Sequence, residues 1–141
     1  MRELLTRSEA ETEDLAAKIG ARFTGGEVVL LSGELGAGKT AFVRGLARGI
    51  GADPEEVASP TFVLLTSYVG RLRLHHADLY RLSGGEDARE LGLEELPGAR
   101  GVLAIEWAER LSPVPWDAPV RVKLEHAGGE SRRVQIDGER P

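Results

Sequence analysis

The chain contains no cysteine and no asparagine. Without thiols it forms no disulfide and no thiolate metal site, and nothing in it signals an oxidising compartment. The missing asparagine matters once a nucleotide site is in view. No basic run of five or more residues occurs, and a net charge of −5 over 141 residues gives no overall field for gripping nucleic acid, although a local patch stays open. No apolar run approaches membrane length, and the opening stretch "MRELLTRSEAETEDLAAKIG" is too charged for a secretion signal. The expectation is a soluble cytoplasmic protein with no membrane contact. Its length suits one domain spanning 1–141, enough for a sheet covered by helices but not for two nucleotide-binding domains.

What is present starts with "GELGAGKT", residues 33–40, directly after the apolar run "VVLLS". The spacing G-x-x-x-x-G-K-[ST] turns successive backbone N–H groups inward to cradle phosphate oxygens. In that pattern Lys39 adds a point charge at the β/γ-phosphates, and Thr40 offers its hydroxyl to Mg²⁺. Gly33, Gly36 and Gly38 suit a loop that visits positive φ and lets backbone approach a ligand. An accidental match somewhere in a chain this long has a probability of about half a percent. The context agrees, because 27–31 reads as a buried strand and 40–50 as a helix.

Elsewhere, Ser8 followed by Glu11 has capping-box spacing, and Leu15, Ala16 and Ile19 supply the apolar face of a first helix ending near Gly20. Pro60 keeps "SPTF" out of a helix, and 62–69 is rich in β-formers; with Gly70 and Arg71 as the turn, it pairs with "RLRLHHADLY" as a hairpin. "GGEDARELGLEEL" has helical content, "RGVLAIEWA" is a compact buried strand, and "VRVKLEH" with "SRRVQID" flanks a Gly-Gly turn as a second hairpin. Helices mixed with buried strands around a strand–loop–helix predict an α/β fold of the P-loop NTPase kind. Its sheet is three-layered, mostly parallel at the core, with antiparallel hairpins added.

A phosphate loop needs Mg²⁺ to neutralise developing charge, and the usual second ligand is an acid at the end of a buried strand. "GVLAIEW" runs into Glu106 and "LRLHHAD" runs into Asp78, so both acids belong at the carboxyl edge of the sheet, where α/β ligands bind. Glu106 is the stronger candidate for the metal shell or for polarising water, and Asp78 is the next. Guanine-specific switches of this class read their base with Asn-Lys-x-Asp; a chain lacking asparagine favours ATP. A small-molecule kinase would spend residues on a lid and an acceptor pocket, whereas here two hairpins take that space.

In order, "GELGAGKT", "SPTF", "HHADLYRL", "ELGLEE" and "IEW" resemble the TsaE (YjeE) family, the small bacterial ATPase of tRNA threonylcarbamoyladenosine synthesis. The resemblance covers residues 8 to 107, about two thirds of the chain. It implies Mg²⁺-dependent binding and slow hydrolysis of ATP. It also implies action with the TsaD and TsaB subunits, so that tRNA is met only through the complex. Gly36, Ala37, Gly38, Lys39, Thr40 and Ala41 match the family's phosphate-binding segment, and Thr40 and Glu106 its magnesium-associated positions. Asp78 falls on the acid of its H-x-D-L-Y-R pattern beside His76, Tyr80 and Arg81. Ser59, Pro60, Thr61 and Phe62 match a switch-like loop, and two hydroxyls on a proline-stiffened loop suit ordering by a γ-phosphate. Trp107 matches the Trp after the acid, and reads equally as a buried aromatic anchor; His76 reads as a structural hydrogen-bonding residue before a general base. Either Asp78 or Glu106 orients water. Arg132 and Arg133 are the outlying candidates for nucleotide contact.

Overall fold

The most apolar runs form the centre of one seven-stranded sheet. In a computed structural model describing residues 1–57, 65–80, 92–111 and 113–139, the strands are β1 (Arg2–Thr6), β2 (Val28–Gly33), β3 (Leu65–Val69), β4 (Arg73–Asp78), β5 (Gly101–Glu106), β6 (Val120–His126) and β7 (Arg132–Asp137). Their order is β1-β7-β6-β2-β5-β4-β3. The stretch β6-β2-β5-β4 pairs in parallel, and β1, β7 and β3 attach antiparallel. Burial follows this plan. β5 is buried at every position, as a parallel strand covered on both faces must be, whereas β6 alternates buried and exposed residues because one of its faces meets solvent.

Two α-helices, α1 (Glu9–Ala21) and α2 (Lys39–Gly49), cover one face. Ser8 caps α1 by accepting the Glu11 amide at 3.1 Å, and the Glu11 carboxylate reaches back to the Arg7 amide. Ala16, Ile19, Phe42, Leu46 and Ile50 lie over Val29, Leu31, Val102, Ala104 and Val122 in a single core cluster. The opposite face, formed by Val28, Leu30, Ala77, Leu103 and Ile105, packs against Leu79, Leu93 and Ala108 with Trp107, Leu111, Val114 and Trp116. Among the described residues that third layer is built from the 3₁₀ turns at Leu93–Glu95 and Ala108–Arg110 and irregular chain.

The α/β class, the parallel core and both hairpins are as the sequence predicts. β1 is an addition: "RELLT" pairs with β7 from Arg2↔Ile136 to Thr6↔Arg132, although its mixture of charge and leucine carries no period-two signal. Of the helical content expected over 84–96, most lies outside the described residues, and Leu93–Glu95 is a 3₁₀ turn. Among the described residues no helix is long and apolar enough to cross a membrane.

Candidate nucleotide site

The phosphate loop joins the end of β2 to the start of α2. Gly38, at φ +105°, is the N-cap of α2 and provides no side-chain cap, which leaves first-turn amides at the positive end of the helix dipole for an anion. Gly33 has φ +145°, and a Cβ there would stand 2.3 Å from the Leu124 carbonyl oxygen, so the loop's entry needs glycine. Ala37, within the loop, and Ala41, in the first turn of α2, are buried, and the Ala37 amide donates to the Glu34 carbonyl at 3.0 Å.

Lys39 is buried, and its Nζ donates to the carbonyls of Gly33 and, at 2.9 Å, Glu34. The same nitrogen stands 3.9 Å from the centroid of the Trp107 ring. Burial holds the Lys39 pKa below its ordinary value, opposed by Glu109, Glu106 and Asp78, whose negative charges favour the ammonium. Trp107 itself has φ +59°, a left-handed conformation rare for a large side chain and worth about 1 kcal/mol or more of backbone strain. That conformation turns its ring toward both Lys39 and Tyr80, whose ring centroid lies 4.9 Å away.

The acids meet the loop from the adjoining strands. Parallel pairing places Leu31 beside Glu106 and Glu106 beside Asp78, so three strand ends converge. Thr40 Oγ1 lies 3.0 and 3.1 Å from the two oxygens of Glu106, to which it donates. His76, wholly buried, holds its Nε2 2.6 Å from Glu106 Oε2, while its Nδ1 lies 3.3 Å from the Tyr68 hydroxyl. Asp78 accepts the Tyr80 amide at 2.9 Å. Burial raises the Asp78 pKa above its ordinary value; the Tyr80 amide opposes this and the Glu106 charge adds to it.

Among the described residues no group of three or more histidines and acids forms a self-sufficient metal cage. A magnesium ion on a nucleotide needs none, because phosphate oxygens and waters supply most of its octahedron. The donors present are hard oxygens, the Thr40 hydroxyl and the Glu106 carboxylate, already adjacent at the loop. This set fits Mg²⁺.

Lys39, Thr40, His76, Asp78, Tyr80, Glu106 and Trp107 therefore come together. Ser59, Pro60, Thr61, Phe62 and Arg81 lie outside the described residues. The two C-terminal arginines separate. Arg132 donates to the Gly36 carbonyl at 3.2 Å, at the rim of the loop, but Arg133 pairs with Glu3 at 3.2 Å on the neighbouring strand β1. Alternation along β7 turns adjacent residues to opposite faces, which removes Arg133 from the site. Sequence reasoning missed Glu109, whose carboxylate accepts the Gly33 amide at 3.4 Å, and Tyr68 behind His76. Glu109 carries no motif, and the one signal for Tyr68 is its place in a strand opposite "LHHAD".

The profile of the family described as "Threonylcarbamoyl adenosine biosynthesis protein TsaE" matches residues 6–134. The protein named tRNA threonylcarbamoyladenosine biosynthesis protein TsaE in Treponema pallidum is 42% identical over 132 residues, 94% of this chain and 97% of that one. Its namesake in Nostoc is 37% identical over 143 residues, 96% of this chain and 85% of that one. The crystal structure of Bacillus subtilis YdiB superposes with a TM-score of 0.77 at 29% identity, covering 99% of this chain and 86% of that one. The chain belongs to the TsaE family.

Proposed function

We propose that this protein binds ATP with Mg²⁺ and hydrolyses it slowly in the cytoplasm, in the biosynthesis of tRNA threonylcarbamoyladenosine. Its working partners are TsaD and TsaB. The relatives' names support the pathway. One observation carries the chemistry: Thr40, at the first turn after the phosphate loop, is hydrogen-bonded to Glu106 at the end of the neighbouring parallel strand.

Phosphoryl transfer needs positioning and charge neutralisation more than covalent help from the protein. The amides of Gly36, Gly38, Lys39 and Thr40 would cradle the phosphates. Lys39, which donates to two loop carbonyls and stands over the Trp107 ring, would give those carbonyls up for β- and γ-phosphate oxygens. Thr40 and Glu106 would hold the metal, which would supply neutralisation of the phosphate charge. Both Glu106 oxygens are engaged by Thr40 and one also by His76, so of the two strand-end acids Asp78 is the one left to orient the attacking water. The water oxygen bonds to the γ-phosphorus as the bond to the β–γ bridging oxygen breaks, giving ADP and inorganic phosphate.

A tracer assay with γ-labelled ATP tests this reading, with and without TsaD–TsaB. Labelled inorganic phosphate, increased by the partners, is expected. Label on a small acceptor would make the protein a kinase, and bound ATP without product would make it a nucleotide-dependent switch.

A further inference from the structure

We propose that His76 and Tyr68 are positioning residues, a buried hydrogen-bonded chain that sets the orientation of the Glu106 carboxylate. The proposal rests on the nucleotide-site reading above and deepens it. β3, β4 and β5 stand side by side, and alternation puts Tyr68, His76 and Glu106 on the sheet face covered by α2. His76 has no exposed surface, and Tyr68 and Glu106 have 4% and 3%. The imidazole bridges them, 2.6 Å from Glu106 Oε2 and 3.3 Å from the tyrosine oxygen.

An ionised carboxylate only accepts, so the proton on the short contact belongs to His76 Nε2. The Tyr68 hydroxyl can donate to Nδ1 or accept from it, and serves the ring in either protonation state. With both nitrogens engaged and no solvent contact, His76 cannot reach an attacking water. What it can do is fix one carboxylate oxygen. The Glu106 side chain has freely rotating bonds; His76 holds Oε2 from behind while Thr40 meets both oxygens from the loop. That pins the carboxylate plane at the one place where a phosphate-bound cation would need it, the usual office of groups behind a metal ligand. Filling the same volume with leucine would spare the cost of burying three polar groups, so packing alone does not explain the arrangement.

The test begins with the nucleotide-free protein. The chain has three histidines. Nitrogen NMR of the imidazoles should show one slowly exchanging Nε2–H, lost in His76→Gln and perturbed in Tyr68→Phe; a His76 ring with a bare Nε2 overturns the proposal. The second arm measures the Mg²⁺ half-saturation of nucleotide binding by calorimetry, alongside kcat and KM. Glutamine can place an amide N–H where Nε2–H was, so His76→Gln should stay within about threefold of the parent. His76→Leu should raise the Mg²⁺ requirement and lower kcat by about tenfold or more, with KM for ATP little changed. Parental Mg²⁺ dependence and kcat in folded His76→Leu reject the role. If that variant does not fold, the NMR result and Tyr68→Phe decide. A wild type that binds no ATP yet shows the protected Nε2–H refutes the ATPase reading and leaves the positioning chain standing.

Discussion

Asp78 is held against its own ionisation. Burial raises its pKa, so the folded state keeps this proton at pH values where the unfolded chain has released it. Stability contributed by the group therefore falls as pH rises above the unfolded pKa toward the folded one, and at neutral pH the ionised carboxylate is a net cost. Asp78→Asn keeps an oxygen for the Tyr80 amide and removes that charge. The variant should melt at a higher temperature than the parent at pH 7, with the gap closing toward pH 4, while ATP turnover drops; a lower melting temperature at pH 7 would contradict this account. Site residues kept at a cost to stability are the ones whose chemistry is used. Lys39 is a parallel case, since its ammonium is retained in a buried position by three nearby carboxylates. Lys39→Ala should abolish productive ATP binding. Thr40→Ala should mainly raise the Mg²⁺ requirement, and a magnesium titration distinguishes the two effects. Glu106→Ala should reduce hydrolysis by about a hundredfold or more with the fold intact, the scale of removing a positioned catalytic group. Turnover at the parent rate in both acid variants would remove Asp78 and Glu106 from the site.

The helix pair is fixed by the glycines at its contact. A Cβ on Gly45 would lie 2.2 Å from the Glu13 carbonyl oxygen and 2.6 Å from Ala16 Cβ, so α1 and α2 approach backbone to backbone. In an isolated helix, alanine at this position would gain about 1 kcal/mol over glycine. Here the forced separation costs roughly 1–3 kcal/mol and wins. Gly45→Ala should lower the melting temperature by a few degrees, and a rise would show that the helices have slack. Such contacts explain which elements were legible in the sequence. β2, β4, β5 and the two α-helices announce themselves because burial demands long apolar runs or helical periodicity. β1 does not, because an edge strand is held by ladder bonds to β7 and needs only Leu4 turned toward the core, leaving Leu5 57% exposed. The site divides the same way. Loop and strand-end acids sit in motifs, so Lys39, Thr40, Asp78 and Glu106 are readable, whereas Tyr68 and Glu109 join the site only through pairing register and a 3₁₀ turn. Register also decides between neighbours: Arg132 reaches Gly36 and Arg133 does not.

For the molecule as a whole, the phosphate loop, three strand ends and the start of α2 occupy one edge of the sheet, and little of the chain remains for holding a large substrate. A net charge of −5 without a basic tract gives weak purchase on tRNA, so under the proposed function recognition of that substrate is expected to fall to a partner subunit. The resemblance makes "SPTF" and "DLYR" switch segments, and under the proposed function nucleotide state is expected to set the surface they offer to TsaD–TsaB. Linkage makes the coupling two-way: whatever factor ATP adds to partner affinity, the partner adds to ATP affinity. Thr61→Ala or Arg81→Ala should then weaken partner-stimulated hydrolysis more than ATP binding by the isolated chain. Titrating TsaD–TsaB into the protein with ADP, with a non-hydrolysable ATP analogue and without nucleotide checks the coupling by calorimetry. The analogue should give the tightest complex, because only it carries a γ-phosphate for the switch segments to sense. Equal affinities in the three titrations would reject nucleotide control of assembly, and tight tRNA binding by the chain alone would reject the division of labour.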